Sequence, residues 1–280
     1  MYRIGWFSTG RGEGSRGMLK AVQETIVSGD LEAQIEFVFC SREYGETEAT
    51  DEYLRMVEGY GIPLVTFSYQ KYRRARGMKR PQPDEPMPEW RLDYDREVQD
   101  RIAGFQPDLC LLAGFLLIFG PEMANRYDFI NLHPALPGGP VGMWQGVIWE
   151  LIEAGADETG AMMHLAIPEL DKGAAVSYCK FPIRGGRFDA AWREIGQRPL
   201  VETRQTEGEN NALFKLIRQD GVAREVPLII ATIRAFSQGR VSVNADRQVV
   251  DAAGRAIDGY DFSGEIDALI EKDDQAAGAD

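Results

Sequence analysis

Cysteine is sparse in this chain. The three residues present, Cys40, Cys110 and Cys179, are odd in number, far apart and set in strand-like runs (FVFC, DLCLLAG, VSYCKF), so they show neither a disulfide framework nor paired metal-ligand spacing. They read as reduced thiols in the core. Long apolar runs are also missing: no window approaches the ~18 residues that span a bilayer, and MYRIGWFSTGRG has no apolar h-region behind a basic n-region. A soluble, cytoplasmic protein with no membrane partner is expected. Positive charge is in short supply, with 31 Lys and Arg against 44 Asp and Glu and a net charge of -13. That is the wrong sign for a protein that coats nucleic acid, and a small-molecule partner is favoured. There is no internal repeat. What is present is a 280-residue chain, 44% hydrophobic, able to bury one large α/β core with or without a smaller appendage.

The order of patterns is strand, glycine-rich loop, helix. YRIGWFS is a short apolar strand, the cluster Gly10 to Gly17 follows, and MLKAVQETIVSG has helical spacing and stops on Gly29. IEFVFC, a helix with Tyr53, Leu54, Val57 and Tyr60 on one face, and PLVTFSY continue the alternation, which predicts a mostly parallel sheet covered on both faces. The charges and prolines from Lys71 to Pro88 predict a long surface loop. A helix over 92–103, the strand PDLCLLAGF, a short helix with Pro121 in its first turn, the strand FINLH and the helix WQGVIWELIEAG come next. AMMHLAI and AAVSYCKFPI flank the turn PELDKG and predict a hairpin where the sheet turns antiparallel. Residues 187–210 read as polar and irregular, 212–240 as a long helix broken around Gly221 and Pro227, and the last forty as a weak hairpin and a polar tail. The expected division is a domain over 1–186 and an extension over 187–280.

Three stretches carry candidate chemistry. In the first, Gly10, Arg11, Gly12, Glu13, Gly14, Ser15 and Arg16 lie between a strand and a helix, where backbone N–H groups can approach an anion at the positive end of a helix dipole. Gly12, Gly14 and Gly17 also match GxGxxG, a weak signal by itself, and the tip of the second strand offers Ser41, Arg42 and Glu43 in place of a clear ribose-binding acid. A tight turn with no ligand is the plain alternative. In the second stretch, Asn131 and His133 emerge on one face of a strand at its carboxyl end, with proline and glycine behind them. A lone histidine is ordinarily structural; the amide beside it and the rigid loop favour catalysis. The third is Asp171 in PELDKG, an ordinary turn former that matters through its company. Together Asn, His and Asp can polarise a carbonyl, stabilise an oxyanion and move the proton an attacking amine must lose.

In order, DLCLLAGFLLIFGPEMA, INLHPALP and ETGAMMHLAIPELDKG resemble the folate-dependent formyltransferase family from Tyr2 to about Ile183. The resemblance implies a Rossmann-like α/β fold, a mostly parallel sheet with helices on both faces and an antiparallel edge. It implies 10-formyltetrahydrofolate as formyl donor, no metal, and catalytic roles for Asn131, His133 and Asp171. It places the folate against Leu112, Ala113, Gly114, Phe115, Leu116, Leu117, Ile118 and Phe119 and against Leu136 and Pro137, and the acceptor's phosphate at Gly10 to Arg16. Within the family the chain is most similar to members that formylate glycinamide ribonucleotide in purine biosynthesis. A homodimer is compatible. His164, on the strand before PELDKG, is expected to be structural.

The chain departs from the family in four places, one of them the loop after His133, PALPGGPVG, which has glycines where the family is bulkier. Its G-R-G-E-G-S-R-G is longer than the usual G-N-G-S-N, which implies a differently shaped phosphate cradle. Leu116 and Leu117 stand where an arginine is common, making that part of the folate pocket more apolar. The acid that contacts the acceptor ribose has no clear counterpart, Glu225 being offset. A formyltetrahydrofolate hydrolase or a sugar-amine formyltransferase would keep the same fold, and a tRNA acceptor is disfavoured by the charge. From another class, an NADP-dependent oxidoreductase would use Gly12, Gly14, Gly17 and Arg42 but leaves Asn131, His133 and Asp171 idle; a non-catalytic binding module ranks third. The basic cluster Lys71, Arg73, Arg74, Arg76, Lys79 and Arg80 reads first as solvated loop charge.

Overall fold

The computed structural model describes residues 1–80, 86–168 and 172–277, which form two compact units. The first unit holds residues 1–131 and a short return from Leu165. Its elements are β1 (Tyr2–Ser8), α1 (Glu13–Val27), β2 (Ala33–Cys40), α2 (Glu48–Gly59), β3 (Leu64–Thr66), α3 (Tyr69–Ala75), α4 (Glu89–Ile102), β4 (Leu109–Leu112), α5 (Pro121–Arg126) and most of β5 (Phe129–His133). The strands lie in the order β3-β2-β1-β4-β5, every neighbouring pair parallel. Parallel neighbours need crossovers, and the helices that supply them bury the strands, which is why β1 from Ile4, β2 from Phe37 and all of β4 are buried without alternation. On one face the Phe7 ring lies 5.7, 5.4 and 5.0 Å from Phe37, Phe39 and Phe129, and Tyr94, Val98 and Ile102 of α4 cover the group. Gly5 makes room for it, since a Cβ there would lie 2.9 Å from both Phe37 and Cys110.

Two expectations for this unit are corrected. The helix after the glycine cluster starts at Glu13, not beyond Gly17, so Gly14 and Gly17 sit in its first two turns. Glu13 suits the positive end of the helix, and burial of Ser15, Met18, Leu19 and Val22 outweighs the ~1 kcal/mol that each helical glycine costs. The span from Lys71 begins as helix rather than loop. Ser68 Oγ accepts from Lys71 N at 3.0 Å and Tyr72 is buried, so a cap and one anchor suffice for the short α3. Residues 81–85 of the expected loop lie outside the described residues.

The second unit takes residues 132–164 and the chain after PELDKG. It contains the end of β5, then α6 (Trp144–Glu153), β6 (Glu158–Leu165) to His164, β7 (Ala175–Pro182), α7 (Phe188–Ile195), α8 (Leu200–Glu207), α9 (Ala212–Ser237), β8 (Val241–Val243), β9 (Val249–Asp251), β10 (Tyr260–Asp261) and α10 (Ser263–Ala277). β6 and β7 pair antiparallel, as the hairpin reading required, and β10 adds parallel to β7. Residues 187–210, expected to be irregular, are mostly α7 and α8: Phe188, Ala191 and Ile195 recur at helical spacing and pack with Ile148, Trp149 and Ile152 of α6 and Leu213, Phe214 and Ile217 of α9. α9 is unbroken despite Gly221 and Pro227. Proline removes one N–H, and the helix persists because both of its halves are buried, through Leu213, Phe214 and Ile217 before it and Leu228, Ile229 and Ile233 after it. Much of the polar tail is α10, anchored by Phe262 and Ile266. The chain is α/β, with a parallel sheet and antiparallel strands.

Candidate active site

In the first unit the strand order reverses at β1, with β2 and β3 to one side and β4 and β5 to the other. Loops leaving the carboxyl ends of β1 and β4 diverge there, and ligands of open α/β sheets bind in such crevices. The glycine loop, the AGF segment and Asn131 lie beside that point. Phe7 of β1 pairs with Leu112 of β4, and Leu112 with Asn131 of β5, so the glycine loop, the AGF segment and Asn131 leave adjacent strands at one level.

Hydrogen bonds tie the first two together. Ala113 N donates to Phe7 O at 2.9 Å, Thr9 N to Gly114 O at 3.1 Å, and Leu116 N to Thr9 Oγ1 at 3.0 Å. Ser41 Oγ donates to Thr9 Oγ1 at 3.3 Å and Gly10 N to Ser8 Oγ at 3.1 Å. Thr9 is therefore a hub of the site that the sequence pattern did not single out; only the β1–β4 register reveals it. Gly114 has φ +67, and a Cβ on it would run into Ser15 Oγ, which sets the first turn of α1 against the AGF segment. Gly12, extended at φ -155, caps α1 with no side-chain bond. The first turn of α1 thus lacks a side-chain cap, an arrangement suited to an anion. Arg11, Glu13 and Gly14 are exposed, whereas Arg16 is drawn to α2 by Glu52 at 3.0 Å and Ala49 O at 3.3 Å.

The AGF segment divides by direction. Phe115 and Phe119 are buried and stacked at 4.9 Å, part of the aromatic core, while Leu116 and Ile118 are 50% and 39% exposed. The segment thus turns aromatic rings to the core and two aliphatic side chains to solvent.

In the second unit His133 is buried, and its Nε2 lies 2.8 Å from Pro140 O. A carbonyl only accepts, so Nε2 carries the ring proton and donates it, and the second proton of a charged ring would sit on Nδ1. The loop is folded by its own sequence: Gly139 N donates to Leu136 O at 2.9 Å across Gly138, at φ +77. Leu136 packs on Gly160, where any Cβ would collide with it, and Pro137 is exposed. His164 is buried with its ring centroid 6.1 Å from that of His133. Asn131 and His133, two apart on β5, present an amide and an imidazole to one side of the strand. Both can donate to an oxyanion. Asp171 lies outside the described residues.

Cysteine is not part of this chemistry. All three thiols are buried, and burial pushes Cys40 up to about 12 and Cys179 to about 11 and raises Cys110 as well, so none is a thiolate near neutrality. Among the described residues no cluster of His, Cys, Asp or Glu is placed to hold a metal ion.

Comparison with known proteins bears on the whole of this region. The chain is 31% identical to the phosphoribosylglycinamide formyltransferase of Schizosaccharomyces pombe over 184 residues, 61% of this chain and 79% of that one. The fold is that of the phosphoribosylglycinamide formyltransferase from Coxiella burnetii, with a TM-score of 0.64 at 20% identity over 93% of this chain and 99% of the other. It is also that of a formyltetrahydrofolate deformylase from Burkholderia mallei, with a TM-score of 0.60 at 15% identity over 89% of this chain and 69% of the other. A family model described as formyl transferase matches residues 12–188, and the chain belongs to the formyl transferase family.

Proposed function

We propose that this enzyme transfers the formyl group of 10-formyltetrahydrofolate to the primary amine of glycinamide ribonucleotide, a step of purine biosynthesis. The observation that carries the acceptor is the likeness to a phosphoribosylglycinamide formyltransferase across 79% of that protein's length. The family match over 12–188 supports residues 1–186 as the catalytic part and 187–280 as an extension.

In this reading the acceptor's phosphate binds at Gly10 to Arg16, against the uncapped start of α1. The folate ring lies on the apolar edge of Leu112 to Phe119 and on Leu136 and Pro137. The amine nitrogen attacks the formyl carbon and forms the new C–N bond. Asn131 Nδ2 and His133 Nδ1 donate to the oxyanion that develops, in a site where fixed donors need no reorganisation. Asp171 takes up and passes on the proton that the amine loses. The bond from the formyl carbon to the folate nitrogen then breaks, and the proton lost by the amine ends on that nitrogen. His164, buried beside His133, holds the ring's surroundings and stays out of the proton path.

Removing an oxyanion donor is expected to cost roughly 100- to 1000-fold in turnover. Asp171→Asn and His133→Ala should therefore lose formyl transfer while folate binding, followed by fluorescence titration, is retained. Near wild-type turnover in both variants would overturn the assignment. Water as acceptor is the second reading, favoured by the fold shared with a deformylase. Formate release without added amine, measured against formyl transfer to glycinamide ribonucleotide, separates the two.

A further inference from the structure

The stretch from Ala113 to Gly120 runs between β4 and α5 with neither helix nor strand, so beyond Gly114 its backbone groups have no ladder to join. Its near end is held by Thr9. Its far end is held by two charged side chains inside the first unit. Arg91 and Asp95, one turn apart on α4, are each 2% exposed and paired through Arg91 Nη1 and Asp95 Oδ1. Each has a second atom turned to the segment: Arg91 Nη2 donates to Ile118 O at 2.7 Å, and Asp95 Oδ2 accepts from Gly120 N at 2.7 Å. The guanidinium is boxed by aromatic rings, its Cζ 5.2 Å from the centroid of Tyr94 and 5.6 Å from that of Tyr69. Gly120 permits the approach, because a Cβ there would strike Leu92 and come within 3.3 Å of Asp95 Oδ2.

Burying two charges is a poor way to gain stability, since desolvation offsets most of their attraction. What the pair supplies is geometry. A planar guanidinium fixed by a carboxylate has no rotamer freedom left, and both partners direct charge-assisted bonds at the backbone on either side of Phe119. The segment is thereby fastened at both feet while Leu116 and Ile118 stand out between them.

We propose that Arg91 and Asp95 are positioning residues for the folate donor: they set the height of the Leu116 to Ile118 edge on which the folate ring lies. This rests on the reading that Leu112 to Phe119 takes the folate. Thr9 belongs at once to the glycine loop and to the near foot of this arch, whereas Arg91 and Asp95 bond only its far foot.

The test is steady-state kinetics on the full chain with both substrates varied, beside thermal unfolding, for Arg91→Lys, Asp95→Asn and Leu116→Glu. Lysine keeps a charge for Asp95 but cannot reach Asp95 and Ile118 O together, and it carries the test if Asp95→Asn does not fold. A folate edge set at the wrong height loses binding contacts that ground state and transition state share, so the expected result is a KM for the folate raised about tenfold or more in Arg91→Lys. The KM for the amine acceptor and kcat should stay within about twofold of wild type. A lowered Tm with an unchanged folate KM would make the pair merely structural and overturn the proposal, as would equal rises in both KM values. Leu116→Glu, at an exposed position, raises the folate KM without touching the clamp if the underlying reading holds. Should Leu116→Glu leave that KM unchanged, the folate reading itself falls and the clamp's role with it; should it raise the KM while Arg91→Lys does not, only the clamp falls.

Discussion

At the scale of single residues, the glycines of the site separate into those required by the backbone and those open to a ligand. Gly114 has φ +67 and lies against Ser15, so Gly114→Ala combines left-handed strain with a collision and is expected to lower stability by about 1–3 kcal/mol, read as a shift of the urea midpoint. Gly12 is extended and has nothing within 4 Å of a Cβ. Gly12→Ala should lower stability by no more than about 0.5–1 kcal/mol, since alanine is the poorer N-cap, and raise the KM for the phosphorylated acceptor with no effect on that for folate. An unchanged acceptor KM would speak against a phosphate at this helix start. The cysteines make a second residue-scale case: with their thiols buried and shifted upward, all three should be silent to a thiol reagent at about pH 8 and react on denaturation.

At the scale of elements, α9 depends on its start. Asn211 Oδ1 accepts from Phe214 N at 3.1 Å, and Asn211 Nδ2 donates to Glu207 at 2.8 Å, joining the helix to the end of α8. Asn211→Ala is expected to cost about 0.5–2 kcal/mol, measured by chemical denaturation. The basic cluster over 71–80 also belongs here. Lys71 pairs with Glu43 at 2.9 Å, Arg73 donates to Met78 O at 2.8 Å and Arg76 lies 3.5 Å over the Tyr72 ring. These contacts account for much of the cluster as the local chemistry of α3 and the turn after it. What made 187–210 unreadable as helix was the polar majority of its residues. The signal was there in Phe188, Ala191 and Ile195, but an apolar face of three residues declares itself only when α6 and α9 are present to cover it.

At the scale of the molecule, the parallel sheet is laced at its amino edge by Arg3, which bonds Asp108 Oδ1 at 2.7 Å and so joins the start of β1 to the start of β4. The hydrogen bond from Arg3 holds the Asp108 carboxyl below the usual range. A depressed carboxyl contributes stability above its unfolded pKa of about 3.9, and that contribution is lost as pH falls through the lower folded value. Both side chains are 35% exposed, so the contribution is of the order of 0–1 kcal/mol. In acid titrations Asp108→Asn should remove a small part of the loss of stability at the low end and leave neutral stability nearly unchanged.

The sequence by itself determined the alternation of strands and helices, the Asn131–His133 spacing and the family likeness, because each is written in neighbouring residues: apolar runs, a two-residue strand period, an ordered set of motifs. Tertiary structure decided what depends on distant partners. That Gly12 ends the loop and Gly14 and Gly17 enter a helix was settled by the burial of one face of α1; that α9 runs through Pro227 was settled by packing on both sides of it. Thr9 became a hub only when β1 and β4 came into register, and Arg91 and Asp95 met the AGF segment across 25 to 27 residues of chain. A charge on an amphipathic helix reads in sequence as solvent-facing, and only the backbone groups it meets when the chain closes on itself give it another role.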